Sequence, residues 1–260
     1  MHFLLTNDDG YDAEGLTALY RAIDPSHRVS IVAPADQQSR TGHALQLSGS
    51  ISVRRINHEV LGPVFVVDGG PADCVRLGMC DLLDGPVDVV VAGINQGANL
   101  GIAEAMVSGT LAAAREGAFC GARAIAVSQM YDHDVAVDWR RATRIARELI
   151  RQLLDDAAPR ADLWSVNMPA LPPGDQPKGI RVVPLSKEPI PLDYQADGPG
   201  PPEMGETRAY EFKGLYGSRP VTPGTDVEAI YAGYVVVTPM TVDPTDRAAL
   251  SASFTLKLPQ

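Results

Sequence analysis

The chain has 260 residues, of which 45% are hydrophobic and 21% charged, and its formal net charge at pH 7 is −10. This length and composition are typical of one large α/β domain with a sizeable core, or of such a domain with an appendage. The negative charge argues against nonspecific binding to nucleic-acid polymers or anionic membranes, but not against a small phosphate compound held through a metal ion.

The first predicted element is a short apolar run, His2 to Thr6, of the length of a buried strand. It ends at the polar turn Asn7-Asp8-Asp9-Gly10, and apolar residues then recur at helical spacing as far as Ile23. Ligands of open parallel α/β sheets bind outside the carboxyl ends of the strands, so Asp8 and Asp9 are candidate ligands of a hard divalent cation. The turn taken alone is also typical of a solvated loop, because Asn, Asp and Gly favour turns.

Further alternating or apolar runs predict strands at residues 28–33, 51–55, 64–68, 87–92 and 122–128. Helices are expected after Gly69-Gly70-Pro71, from Ser108-Gly109-Thr110 to about Phe119, and over 137–154. Two polar loops lie between these elements, at 35–50 and 93–101. Four alternating β-α units over the first 130 or so residues predict an α/β fold with a doubly wound, mainly parallel sheet.

The second half of the chain is less regular. Strands are predicted at 163–168, 180–183 and 234–238, with a short helix at 227–231. Between 184 and 224 proline and glycine are dense and apolar periodicity fades, apart from one hairpin strand at 208–213. We therefore predict a catalytic core over 1–183, an extended arm or hairpin over 184–225, and a segment over 226–260 that returns to the core or to a partner subunit.

Oxygen-rich side chains follow three of the predicted strands: Asp8 and Asp9, Ser39, and Asn95. Two carboxylates, a hydroxyl and an amide carbonyl make a plausible site for Mg²⁺ or Mn²⁺, with waters filling the remaining positions. Residues 108–110, at a helix start, would supply a phosphate cradle beside it, although N-capping alone also explains a serine there. The set indicates metal-assisted hydrolysis of phosphomonoesters.

The sequence resembles the SurE survival-protein family of nucleoside-monophosphate phosphatases over nearly its whole length. The motifs that carry the resemblance are Leu5-Thr6-Asn7-Asp8-Asp9-Gly10, Val32-Ala33-Pro34, Asp73-Cys74-Val75, residues 93–101, Ser108-Gly109-Thr110, Gly224-Thr225-Asp226-Val227 and Thr238-Pro239-Met240. Each motif alone is weak, but their order and spacing together are specific.

The resemblance implies a 5′(3′)-nucleotidase that binds one divalent cation per subunit. Its metal ligands would be Asp8, Asp9, Ser39 and Asn95. The resemblance also implies a Rossmann-like core and a C-terminal extended arm used in a homodimer or homotetramer. On this basis we assign Asp8 and Asp9 as the catalytic residues, either of which could orient or deprotonate the attacking water, and we assign phosphate contacts to Asn99, Ser108, Gly109 and Thr110. His43 is either a general acid for the leaving group or an ordinary loop residue.

Four positions depart from the family pattern: Arg40, Gly70, Ala72 and Val107. They keep open a second hypothesis, a weak or inactive paralogue that binds metal and a phosphate ligand without efficient turnover. A phosphatase that uses Asp8 as a covalent nucleophile is less favoured, because Gly10 stands where such an enzyme would carry a second acid. A Rossmann dehydrogenase is disfavoured because no G-x-G-x-x-G follows the first strand.

The sequence also predicts a cytoplasmic protein with no membrane partner. Its three cysteines, Cys74, Cys80 and Cys120, lack zinc-like spacing and are expected to be reduced. The first residues lack the basic segment of a signal peptide, and no apolar stretch approaches the ~20 residues that cross a bilayer.

Overall fold

The structure, a computed structural model, describes residues 1–38 and 42–251. Its strands are β1 (His2–Thr6), β2 (Arg28–Pro34), β3 (Val53–His58), β4 (Gly62–Val67), β5 (Val89–Gln96), β6 (Arg123–Gln129), β7 (Leu163–Met168), β8 (Ile180–Val182), β9 (Tyr194–Ala196), β10 (Tyr210–Phe212) and β11 (Val235–Met240). Its helices are α1 (Glu14–Ala22), α2 (Pro71–Leu77), α3 (Gly101–Val107), α4 (Gly109–Phe119), α5 (Trp139–Leu153), α6 (Asp226–Tyr231) and α7 (Arg247–Ser251). A π-helical turn (Gly78–Leu82) and a 3₁₀ turn (Tyr216–Ser218) complete the set.

Nine of the described strands form one sheet in the order β3-β4-β2-β1-β5-β6-β7-β11-β8. The strands from β4 to β7 in this order run parallel. Antiparallel pairing occurs where β3 joins β4 and where β11 joins β7. The predicted α/β fold with a mainly parallel sheet is therefore confirmed.

Helices cover both faces of this sheet. Successive side chains of a strand point to opposite faces, so β1 contributes to two cores. Phe3 and Leu5 belong to the core under α1 and α5, whereas Leu4 belongs to the core under α2 and α4. The uninterrupted apolar run of β1 is thus explained by burial on both sides. None of the helices in the described part of the chain combines the length and apolarity needed to span a bilayer.

Three local predictions differ from the structure. Helix α3 was not predicted, because its exposed Ile102, Met106 and Val107 break the amphipathic pattern. The helix expected to carry Leu82 ends at Leu77 and continues as a π-helical turn. Strand β5 extends beyond residue 92 to Gln96, with a register shift against β6 between Ala92 and Asn95.

The proline- and glycine-rich segment contains a short hairpin. Strands β9 and β10 pair antiparallel, with Tyr194 opposite Phe212 and Ala196 opposite Tyr210. The rings of Tyr194 and Phe212 are 5.2 Å apart between centroids. The role of this hairpin as an oligomerisation arm stays a prediction. The same holds for the predicted domain bounds, which are 1–183, 184–225 and 226–260.

The carboxylate of Asp226, which is fully buried at the start of α6, joins the C-terminal half to the core. Its Oδ2 accepts the N–H of Gly101 at 2.6 Å, and its Oδ1 accepts the N–H groups of Ser186 at 2.7 Å and Val227 at 2.9 Å. Hydrogen bonds to a charged acceptor are stronger than those between neutral groups. The bond from the Gly101 N–H to Asp226 fixes the start of α3. Residues 125 positions apart in sequence are thereby joined.

We expect Asp226→Ala to lower the free energy of unfolding by about 3 kcal/mol or more, because it leaves buried N–H donors without an acceptor. Urea unfolding of the variant and of the unmodified protein would measure this difference. Asp155→Ala is the matched control, since exposed Asp155 also accepts a backbone N–H, that of Ala157, and it should cost less than about 1 kcal/mol. Equal losses in both variants would contradict a special role for the buried carboxylate.

Candidate active site at the carboxyl end of the sheet

The candidate site lies where the chain changes direction across the sheet. Strand β1 has β2 on one side and β5 on the other, and all three run parallel. Such a switch point opens a crevice at the carboxyl ends of the two central strands. Asp8 and Asp9 follow β1 directly, and Asn95 lies at the end of β5. The topology thus places these predicted residues on the two strands that border the crevice.

Asp8 is buried against the N-terminus of α4. Thr110 Oγ1 donates to Asp8 Oδ1 at 2.8 Å. Gly109 permits this approach, because a Cβ there would lie 2.9 Å from the Asp8 Cβ and 3.0 Å from Oδ2. Burial, followed by the charge of Asp9, raises the pKa of Asp8 from 3.8 to about 6, and the hydrogen bonds from Thr110 only partly oppose this. The carboxylate is therefore held in place, but the hydrogen bonds that it accepts do not offset the cost of its burial.

Asp9 is less buried than Asp8 and faces the end of β5. Its Oδ2 accepts the backbone N–H of Gln96 at 3.0 Å. Burial raises its pKa, opposed by the hydrogen bonds from Gln96 and Gln37. The β1 and β5 loops are therefore joined through this carboxylate.

The remaining predicted metal ligands are Asn95, at the end of β5, and Ser39, in the sequence after β2. Asn95 Nδ2 donates to the carbonyl of Gly97 at 3.1 Å, so the amide oxygen is the atom that would contact a cation in the predicted arrangement. Ser39 lies outside the described residues, as does the departure at Arg40. Gln38, which precedes Ser39, donates its N–H to the Asp8 carbonyl at 2.8 Å. Within the described ranges, no three His, Cys, Asp or Glu side chains gather to hold a metal, so a cation here would depend on two carboxylates with amide and hydroxyl oxygens.

The four residues assigned to phosphate contact lie beside Asp8. Ser108 caps α4, with its Oγ accepting the N–H of Leu111 at 3.1 Å. Asn99 Nδ2 donates to Thr110 Oγ1 at 3.4 Å and to Ser128 Oγ at 2.8 Å. Thr110 in turn donates to Asp8, so Asn99 supports the carboxylate through the threonine hydroxyl. Their contact with phosphate stays a prediction.

Two residues that were not predicted from the sequence support this network. Ser128 lies near the end of β6 and Asn167 near the end of β7. Asn167 Oδ1 accepts the N–H of Asn99 at 2.9 Å, and its Nδ2 donates to the Asn99 carbonyl at 3.3 Å. A signal for both was present in the sequence, because each is a polar residue at the carboxyl end of a predicted buried strand.

The His43 side chain is hydrogen-bonded to α4. Its Nε2 lies 2.8 Å from Oε2 of the buried Glu116, whose other oxygen pairs with Arg76. The ring also stacks on Phe119. These contacts fix the loop after Gly42 on α4 and favour the loop-residue interpretation of His43.

Comparisons with known proteins agree on one family. The sequence profile described as Survival protein SurE matches residues 3–190. A protein named 5′-nucleotidase SurE from Geobacter sulfurreducens is 37% identical, with 96% of this chain and 92% of that protein covered. Its namesake from Brucella canis is 38% identical, with 97% and 98% covered. The crystal structure of SurE from Aquifex aeolicus superposes with a TM-score of 0.77 at 30% identity, covering 96% of this chain and 97% of that one.

The raised pKa of Asp8 gives a pH-dependent stability in metal-free protein. Folded Asp8, with a pKa of about 6, holds its proton more tightly than the unfolded chain, with 3.8, so stability falls as pH rises through this window. Asp8→Asn removes the titrating group, so the stability of this variant should not show the fall that Asp8 causes. The variant should exceed the unmodified protein by about 2–3 kcal/mol at pH 7–8, and the difference should vanish below about pH 4.

Urea unfolding in EDTA at a series of pH values would measure this difference. Exposed Asp84 provides the control, since Asp84→Asn should follow the unmodified protein at every pH. A gap between Asp8→Asn and the unmodified protein that does not change with pH would rule out the buried charge as its cause.

Proposed function

This chain belongs to the SurE family, and on that basis we propose that it hydrolyses nucleoside 5′(3′)-monophosphates to nucleoside and phosphate with the help of a divalent cation. The observation that carries the proposal is the pair of adjacent carboxylates, Asp8 and Asp9, packed at the switch point of the sheet. Burial raises the pKa of both carboxyl groups, so their ionised forms carry a desolvation cost that a bound cation would offset. The relatives named above are described as 5′-nucleotidases.

The donor set fits Mg²⁺ or Mn²⁺, one per subunit. Carboxylate and amide oxygens are the ligands that hard divalent cations prefer, and Asp8, Asp9 and Asn95 supply them, with Ser39 as the fourth proposed ligand. When bound, such a cation would neutralise charge on phosphoryl oxygens and lower the pKa of an attacking water. Its charge would also favour the ionised forms of both carboxylates.

Each residue then has a definite task. Asp8 and Asp9 bind the cation, and either can orient the water or accept its proton. The hydroxyl of Thr110 holds Asp8 in one orientation, and Asn99 donates to that hydroxyl. The N-terminus of α4, at Gly109 and Thr110, offers a partial positive charge to the phosphate.

The described departures from the family pattern leave the carboxylate pair intact. Gly70 starts α2, where its N–H donates to Asp73 Oδ2 at 3.0 Å. Ala72 is fully buried in that helix, and Val107 is exposed at the end of α3. We therefore expect these changes to tune rate and substrate range rather than to remove the chemistry.

We also propose that the chain forms a homo-oligomer through its hairpin, and that it works in the cytoplasm. Large apolar side chains are exposed on and near β9 and β10: Leu192, Tyr194, Met204, Tyr210 and Phe212. Exposed apolar clusters of this kind mark protein interfaces. Cys74, Cys80 and Cys120 are all free thiols, which suits a reducing compartment.

The hydrolysis proposal predicts metal-dependent phosphate release from a panel of 5′- and 3′-nucleoside monophosphates. Release should occur with Mg²⁺ or Mn²⁺ and stop in EDTA, because Asp8 and Asp9 cannot neutralise phosphoryl charge themselves. Asp8→Asn should reduce kcat by at least about 100-fold at saturating metal. Asp84→Asn again serves as control and should match the unmodified protein.

Tight metal binding by folded protein with no release from any substrate would instead favour a binding paralogue. Full turnover by Asp8→Asn at saturating metal would show that the ligand assignment is wrong.

The oligomer proposal predicts that Tyr194→Ser combined with Phe212→Ser shifts the protein toward monomers, since both rings would leave the proposed interface. Sedimentation equilibrium over a range of concentrations would measure the mass. Leu47→Ser replaces an equally exposed apolar residue outside the hairpin and should leave the mass unchanged. An unaltered dimer or tetramer in the double variant would place the interface elsewhere.

A further inference from the structure

Two cavities meet beside Asp9. The first, of about 470 Å³, is lined by Asp9, Glu14, Gln37, Gln96 and Tyr131, among others. The second, of about 660 Å³, also contains Gln96 and Tyr131 in its wall and extends away from the carboxylates. The shared walls place the second cavity next to the one that contains Asp9.

The second cavity differs in character from the carboxylate site. Met130, Leu171 and the buried Ile230 give it apolar surface, and Leu215 and Tyr231 come from the C-terminal half. We call this space the base cavity. Sites with apolar walls and few polar groups suit flat organic rings rather than phosphate.

Tyr131 stands at the junction of the two cavities with its ring partly exposed. Its ring meets that of His133 edge to face, with centroids 5.0 Å apart. The turn that presents them is fixed by Asp132, whose carbonyl accepts the N–H of Val135 at 3.1 Å and whose Oδ1 accepts that of Asp134 at 3.1 Å. An aromatic face held in this way is a stacking platform for a base.

We propose that the base cavity binds the base of the nucleoside monophosphate, with the base stacked on Tyr131 and its polar edge within reach of the Gln96 amide. This inference rests on the proposed function and adds the residues that select nucleotides over other phosphomonoesters. Gln96 couples the two parts of the site, because its backbone N–H holds Asp9 while its exposed side chain lines both cavities. The carboxylates of Glu14 and Asp132 at the walls suit sugar hydroxyls and base amines rather than a second phosphate.

The test compares AMP with ribose 5-phosphate, which carries the same phosphate and sugar without a base. In Tyr131→Ala the ratio of kcat/KM for AMP to that for ribose 5-phosphate should fall about tenfold, mainly through a higher KM for AMP, since stacking contributes to binding. Tyr131→Phe keeps the ring and should retain most of the ratio. Titration calorimetry with adenosine, which has no phosphate, should show binding that Tyr131→Ala weakens by a similar factor.

The outcomes separate this inference from the proposed function. Hydrolysis of AMP with a ratio that stays within about twofold in Tyr131→Ala, and with unaltered adenosine affinity, would overturn the base cavity while hydrolysis stands. Absence of hydrolysis of every substrate would overturn the proposed function. In that case, adenosine binding that Tyr131→Ala weakens would still support the base cavity. Adenosine binding that Tyr131→Ala leaves unchanged would overturn it.

Discussion

The site depends on one electrostatic constraint, the burial of two adjacent carboxylates. Desolvation and mutual repulsion both oppose ionisation of Asp8, and its pKa is raised to about 6. The described surroundings hold this carboxylate in place: Thr110 donates a hydrogen bond, and Gly109 lets the helix N-terminus approach. Ionisation of Asp8 in this environment lowers the free energy of unfolding at neutral pH. The proposed divalent cation would offset that loss.

A second constraint is that the site is built from both halves of the chain. The end of β5 carries Asn95 and Gln96 and the loop after it carries Asn99, and the far end of this loop at Gly101 is held by the buried Asp226. Arg219 reinforces this anchor, since it donates to the carbonyl of Leu100 at 3.0 Å and pairs with Glu104 at 2.9 Å. The C-terminal half therefore does more than extend the fold, because it fixes the loop that contacts the carboxylates.

The carboxylate site and the base cavity divide recognition between charge and shape. The carboxylate end suits a cation and a phosphate, groups common to all phosphomonoesters. The base cavity combines apolar side chains with Gln96, Asp132 and His133 and has the Tyr131 ring in its wall. In our proposal it distinguishes substrates by what lies beyond the phosphate. Gln96 connects them, so changes in one region can alter binding in the other.

The sequence by itself determined the strands β1, β2 and β5–β7 and the placement of Asp8, Asp9 and Asn95 at strand ends. Apolar runs report burial on both faces of a strand, and the order of β-α units fixes a parallel sheet. Only the tertiary structure showed that Ser128 and Asn167 support Asn99 and that the buried Asp226 holds Gly101. The same is true of helix α3 and of the base cavity. These features depend on contacts between residues far apart in sequence, as with Asn99 and Asn167, which are 68 positions apart. Local periodicity carries no information about such contacts, so only the folded chain could show them.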